Sequence, residues 1–130
     1  MAKAYAVMLG ILIGSHAFVG WFIEGSRMLG VLNVDIFNDI VYTVCAVALL
    51  FVGSTDTPVR VIQGVLVVVG LVFVLIGFFS VLDERLGGLL PSGTTIIDHL
   101  LLFGTGGAAL LLGLSPWARK PLTTNGTVLN

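Results

Sequence analysis

The segment Val59–Leu82, with the sequence VRVIQGVLVVVGLVFVLIGFFSVL, decides the fold class of this chain. Only Arg60 and Gln63 place strongly polar side chains in it. A helix needs about 20 mostly apolar residues to cross the hydrocarbon core of a bilayer, and this segment is longer than that. The sequence therefore predicts a transmembrane helix over residues 59–82.

Three further apolar segments are present, and the charged residues cluster between the segments. They cover about residues 4–23, 36–52 and 95–114. A β-barrel would show short alternating segments instead. The pattern predicts an all-α, polytopic membrane protein, with a four-transmembrane-helix bundle over residues 1–117 and a polar C-terminal tail over 118–130. Asn38 and Asp39 stand at the start of the second segment, so an alternative is an interfacial helix that enters the membrane near Tyr42.

The composition of the 130 residues agrees with a membrane protein: 57% are hydrophobic, 10% are charged and the mean hydropathy is +1.10. A soluble domain carries about 25% charged residues, and so short a chain cannot bury this much apolar surface. The net charge of −1 offers no basic field, so no nucleic-acid partner is expected. Cys45, the single cysteine, supports neither a disulfide framework nor a zinc site.

The positively charged residues divide unevenly between the two sides of a four-span chain. One side carries Lys3, Arg60, Arg119 and Lys120, with Asp56 as its only acid. The other side carries only Arg27 and Arg85, among most of the acidic residues. An excess of Lys and Arg marks the cytoplasmic face, so both termini are predicted to be cytoplasmic.

The two halves of the chain resemble each other. In each half a long span is followed by an outer loop and a second span. Gly10 and Gly64 occupy similar places early in the first and third spans, and Leu-Gly motifs at 29–32 and 86–91 precede the second and fourth. Two hairpins in the same orientation form a parallel repeat about an axis along the membrane normal. The sequence therefore predicts two repeated helical hairpins.

Between about Tyr5 and Gly113 the chain resembles the bacterial, chiefly actinobacterial, four-helix membrane proteins grouped as a domain of unknown function. The resemblance rests on Tyr5, Gly10, Gly20-Trp21-Phe22, Asn38 and Leu86-Gly87-Gly88-Leu89-Leu90-Pro91. Members carry Asn or Asp, and His four residues later, at the start of spans two and four. In span two of this chain, Asn38 is followed four residues later by Tyr42 where members have His. In span four, Ile96 and Leu100 stand at the two positions of the pair, and Asp98 and His99 lie between them. The resemblance implies a four-helix fold in a bacterial-type plasma membrane, and it implies no activity.

Small and polar residues recur at helical spacing along three of the spans. They are Gly10 and Gly14 in the first span, Gln63, Gly70 and Gly77 in the third, and Gly104 and Gly106 in the fourth. Glycines let helix backbones approach closely, and a glutamine bonds across such an interface. These residues predict a compact bundle that packs with itself as a homo-oligomer or with larger membrane subunits.

Ionisable side chains inside a bilayer are costly and are functional candidates for that reason. The candidates here are His16, Glu24, Asp98 and His99, all in the predicted outer half. Facing histidines ligate haem or a metal in helical bundles, so one hypothesis is a cofactor site at His16 and His99. The plainer interpretation is two neutral histidines bonded to neighbouring helices or headgroups. Glu24 and Asp98 form a candidate polar site for proton or cation entry, although a surface pair of Glu24 with Arg27 is simpler.

Motifs of catalysis are missing from the sequence: it has no phosphate-binding loop, Ser-His-Asp set or H-E-x-x-H motif. No catalytic residue, enzyme activity, metal site or cofactor is therefore predicted. The leading hypothesis is a structural or accessory membrane protein. The alternatives are a small oligomeric transporter or channel, and a haem- or metal-binding redox bundle that uses His16 and His99.

Overall fold

The computed structural model describes residues 1–22, 27–28, 32–33, 35–90, 93–119, 122–124 and 127–129. Four helices form its body: α1 Ala2–Gly20, α2 Ile36–Ser54, α3 Val59–Leu82 and α4 Ile96–Leu114. Each is long and apolar enough to cross a membrane. The prediction of an all-α membrane protein with a four-helix bundle is confirmed, and α1 begins and ends a few residues earlier than predicted.

Short elements connect and follow the helices. The antiparallel strands β1 Arg27–Met28 and β2 Leu32–Asn33 lie between α1 and α2. A 3-10 turn, Leu86–Gly88, precedes α4, and a second one, Pro116–Arg119, follows it. Strands β3 Leu122–Thr124 and β4 Thr127–Leu129 pair antiparallel within the polar tail.

The bundle consists of two helical hairpins, because α1 packs mainly along α2 and α3 mainly along α4. Glycines allow the close packing inside each hairpin. A Cβ added at Gly10 would lie 2.8 Å from Cγ of Leu50, and one added at Gly70 would lie 2.8 Å from the carbonyl oxygen of Gly106. We call these contacts the α1–α2 seam and the α3–α4 seam. In each seam, glycines let the two helix backbones approach closely.

An apolar core joins the hairpins along most of their length. It is formed by Leu9 of α1, Leu49 of α2, Leu66 and Phe73 of α3 and Leu102 of α4, all of them buried. The hydroxyl of Tyr5 donates a 2.8 Å hydrogen bond to the carbonyl oxygen of Thr105, which ties α1 to α4. Many large apolar side chains face outward, as expected of a surface in contact with lipid.

The second span differs from the interfacial alternative. Helix α2 is a single helix of 19 residues that begins at Ile36. Asn38 and Asp39 are fully buried among the other helices and do not lie on an outer surface. Their position inside the bundle, at one end of the core, defines the candidate site.

Candidate functional site

A cluster of polar side chains lies in the interior at the end where α1 finishes and where α2 and α4 begin. We call it the polar cluster; its members are His16, Asn38, Asp39, Tyr42 and Asp98. His16 is 4% exposed and the other four are fully buried. In a membrane-spanning bundle such side chains are expensive to bury, and they mark functional sites by default.

Asp98 is held in place by the start of its own helix. Thr95 is the N-cap residue of α4, and Asp98 occupies the third position of a capping box. Oδ2 of Asp98 accepts hydrogen bonds from the backbone N–H of Thr95 at 2.9 Å and from its hydroxyl at 3.2 Å. The N-terminal end of the helix dipole also favours a negative charge here. The Thr-x-x-Asp pattern thus fixes a carboxylate inside the bundle.

Asp39 lies in the first turn of α2 and packs against the backbone of α1. A Cβ added at Gly20 would lie 2.7 Å from Cγ and 2.8 Å from Oδ2 of Asp39, so only glycine leaves room for this carboxylate. Beside it, the Trp21 indole N–H donates to the Thr43 hydroxyl at 3.1 Å, and that hydroxyl donates to the Asp39 carbonyl oxygen at 2.6 Å. This chain of bonds fixes the end of α1 against the start of α2.

Tyr42 joins the members of the cluster. Its ring meets the imidazole of His16 edge-on, with 4.9 Å between ring centroids, and the charges of both Asp98 and Asp39 act on its hydroxyl. Among the described residues this buried hydroxyl has no hydrogen-bond partner. An unsatisfied buried hydroxyl costs about 1–3 kcal/mol.

The acids outside the helices have a different environment. The Asp83 carboxylate is fully exposed, and it accepts hydrogen bonds from the backbone N–H groups of Gly87 at 2.8 Å and Arg85 at 3.0 Å. These two bonds hold the pKa of Asp83 below its ordinary value. Glu84 is also exposed. Buried and exposed carboxylates therefore stand at the same end of the molecule, and the exposed ones provide controls.

The contacts of the two histidines involve different partners. His16 lies against Tyr42, whereas Nε2 of His99 lies 3.2 Å from the Thr94 hydroxyl. The described residues contain no group of three or more His, Cys, Asp or Glu side chains arranged to hold a metal. A cofactor site at His16 and His99 stays a prediction of the sequence, which a visible absorption spectrum would test. Glu24 lies outside the described residues.

The residues predicted to pack helices occupy three kinds of position. A Cβ added at Gly14 would lie 3.3 Å from that of Ala46, one at Gly77 would lie 3.1 Å from the Phe103 ring, and one at Gly106 would lie 2.9 Å from Cβ of Phe73. With Gly10 and Gly70, these glycines lie at helix contacts.

Gln63 bridges helices instead. Its Nε2 donates to the carbonyl oxygens of Leu112 and Ser115, at 2.9 Å each, so its side chain ties the start of α3 to the end of α4.

Gly104 has different surroundings from the other glycines. It is exposed, and a Cβ added there would meet no atom of the described residues within 4 Å. Two residues correspond to about 200° on a helix, so Gly104 and the buried Gly106 lie on opposite faces of α4. Among the described residues Gly104 therefore takes no part in the helix contacts of the bundle, and its packing with a molecule outside the chain stays a prediction.

Three members of the polar cluster were missed as site residues by the sequence analysis: Asn38, Asp39 and Tyr42. The signal was present, because an Asn-Asp pair opens an apolar span, but it was interpreted as a membrane-surface feature. Only the packing of α2 against α1 and α3 shows that these side chains turn inward.

Fold and cluster together define a class: a multi-pass membrane protein whose four-helix bundle encloses ionisable side chains. Comparison of the chain with models of protein families, with curated proteins and with solved structures finds no match. The function therefore has to be argued from the bundle itself.

Proposed function

We infer that this protein is a small proton-linked transporter or channel, and that the polar cluster is its proton-binding site. The observation that carries this proposal is the complete burial of two carboxylates, Asp39 and Asp98, which come from different helices and whose charges both act on the buried Tyr42 hydroxyl. Carboxyl groups, a phenol and an imidazole are the side chains from which intramembrane proton relays are built.

Energetics favour this role over a purely structural one. An acidic side chain buried inside a membrane bundle is costly, although Asp39 and Asp98 stand in the first turns of α2 and α4 and not at the helix centre. Apolar residues of the same volume would often hold helices together as well or better. Asp98 also caps the start of α4, so this argument applies to Asp39, whose complete burial supports a task that requires an ionisable oxygen.

The placement of the polar cluster supports a mechanism in which it is exposed in turn to the two sides of the membrane. The opposite end of the bundle carries Lys3, Arg60 and Arg119 and is expected to be cytoplasmic, so the cluster would lie toward the outer side of a bacterial-type plasma membrane. Between the two ends, Phe73 lies beneath Tyr42, with 5.5 Å between ring centroids. The apolar core below it closes the inner route, and transport requires that layer to open.

Two matched tyrosine substitutions test the proposal. Tyr42→Phe removes a buried hydroxyl on which the charges of both carboxylates act, whereas Tyr5→Phe removes one bonded to Thr105. We expect Tyr42→Phe to lower proton flux severalfold without loss of stability, because its hydroxyl has no bonding partner among the described residues. We expect Tyr5→Phe to lower the free energy of unfolding by about 1 kcal/mol and to leave flux per folded molecule unchanged.

The measurement is the rate of internal acidification after an external pH step in liposomes that contain the purified full chain and a dye sensitive to pH. Potassium and valinomycin remove the diffusion potential. Flux no greater than in empty liposomes, or equal flux in the wild type and Tyr42→Phe, would contradict the proposal.

A second candidate function, the structural or accessory role, is favoured by one observation on α4. Gly104 and Gly107 have no neighbouring atom within 4 Å of an added Cβ, and Gly104 is exposed to the surroundings. With Ala108 they place small residues on the outward face, where a helix of a second copy of this chain would approach closely. Such a dimer is compatible with transport, because four helices alone enclose little space for a path.

Disulfide cross-linking tests this second candidate in native membranes. In a Cys45→Ala background, Gly104→Cys is expected to form a covalent dimer on mild oxidation, because the small-residue face brings the two α4 helices together. Val44→Cys, on the exposed face of α2, serves as the control and is expected to remain monomeric. Equal cross-linking at both positions would indicate random collision and would remove the proposed interface.

A further inference from the structure

A second polar feature lies at the opposite end of the bundle from the polar cluster. It is a cavity of about 360 Å³ between the start of α1, the turn from α2 to α3 and the end of α4. Its lining includes the side chains of Lys3, Asp56, Thr57 and Arg119. None of these residues belongs to the polar cluster, so the cavity is a separate candidate site.

Two helices begin at this cavity, and each presents the positive end of its dipole. Lys3 belongs to the first turn of α1, and Pro58 and Val59, which also line the cavity, begin α3. Neither helix has a side chain that caps its first turn or an acidic residue within that turn. The first N–H groups of a helix have no partner inside the helix and bind anions readily.

The guanidinium of Arg119 is positioned by a buried amide. Oε1 of Gln63 accepts a 2.9 Å hydrogen bond from Nε of Arg119, and Gln63 itself is only 4% exposed. Because Nε2 of Gln63 is bonded to two carbonyl oxygens of the α4 end, the amide cannot rotate freely. Its oxygen therefore holds Arg119 at the cavity by one nitrogen, and the two terminal nitrogens, which bond to none of the described residues, can bind an anion.

The charges around the cavity favour an anion with one opposing group. Lys3 and Arg119 are cationic, the two helix starts add partial positive charge, and Asp56 on the exposed rim is acidic. Arginine and helix N-termini recognise phosphate in particular, since several donors converge on its oxygens.

We propose that this cavity binds the phosphate group of an anionic phospholipid headgroup at the membrane face that carries Lys3 and Arg119. The cytoplasmic leaflet is rich in anionic lipid, and basic pockets between helices on that side bind such headgroups. The bound lipid joins the starts of α1 and α3 to the end of α4, and so links the two hairpins at this end.

The test is a titration of the full chain in a neutral detergent with short-chain phosphatidylglycerol, followed by thermal unfolding. Phosphatidylcholine and inorganic phosphate are titrated in parallel. We expect phosphatidylglycerol to stabilise the protein saturably and phosphatidylcholine not to do so. Stabilisation by inorganic phosphate at similar concentration would instead identify free phosphate as the ligand.

Substitutions of charged residues test the proposal further, because it predicts whether each one weakens or strengthens phosphatidylglycerol binding. Lys3→Gln and Arg119→Gln are expected to weaken phosphatidylglycerol binding by about tenfold each, which equals ~1.4 kcal/mol. Asp56→Asn is expected to strengthen it, because the rim acid opposes the phosphate. Arg60→Gln, an exposed cation at the same end that does not line the cavity, is the control and should leave the affinity unchanged.

Equal affinity in all four variants, or equal stabilisation by both lipids, would overturn the phosphate site. These results do not depend on proton flux, so the lipid proposal and the transport proposal fail separately.

Discussion

Asp39→Asn is expected to reduce proton flux in liposomes by about tenfold or more, because a carboxamide keeps the shape of the side chain but cannot bind and release a proton at neutral pH. Stability is expected to stay the same or to rise, since the substitution removes an acid from a fully buried position. The measurement is the pH-step assay together with thermal unfolding in the same detergent.

Two controls accompany this variant. Glu84→Gln removes an exposed acid at the same end of the molecule and should leave flux unchanged. Asp39→Glu keeps the acid but adds a methylene group where Gly20 already touches the carboxylate, so it should recover only part of the flux. Wild-type flux in Asp39→Asn would remove this residue from the proposed proton site, whatever the outcome at Tyr42.

Gly70→Ala is expected to cause a large loss of stability. The new Cβ would lie 2.8 Å from the carbonyl oxygen of Gly106 and 3.0 Å from the backbone nitrogen of Leu110. Both atoms belong to the backbone of α4, so no side-chain rotation relieves the contact and the two helices have to separate. Overpacking of this kind costs about 1–3 kcal/mol, measured as the free energy of unfolding in a denaturing-detergent titration.

Gly64→Ala on the same helix is the matched control for Gly70→Ala. An added Cβ at Gly64 meets no atom within 4 Å. Exchange of a helical glycine for alanine is then expected to stabilise the protein by about 0.5–1 kcal/mol. The pair of variants should therefore differ in sign. Gly106→Ala and Gly104→Ala should repeat the contrast on α4, and a stabilising Gly70→Ala would show that the α3–α4 seam is looser than described.

The two polar regions of the molecule lie at opposite ends. The polar cluster lies where α2 and α4 begin, and the cavity lined by Lys3 and Arg119 lies where α1 and α3 begin. Alternating helix directions produce this arrangement, since every second helix starts at the same end of the bundle. Each end thus combines helix N-termini with side chains, carboxylates at one end and cations at the other.

Much of the fold was predictable because hydrophobic length is a local property. Val59–Leu82 and its three counterparts specify membrane helices without reference to any other part of the chain. Several seam glycines were predictable for the same reason, since their spacing marks one face of a helix. The sequence could not show which of Gly104 and Gly106 lies at the helix contact. Both are glycines, and the sequence does not specify which face of α4 meets α3.

The sequence by itself determined that this chain enters a membrane as four helices, because apolar length and the position of charges fix that outcome. Only the tertiary structure decided that Asp39, Tyr42 and Asp98 share one interior, and that Gln63 holds Arg119 at a cavity. Those contacts join residues far apart in the chain. They depend on how one hairpin packs against the other and on the rotation of each helix about its axis, which a pattern along a single helix does not specify.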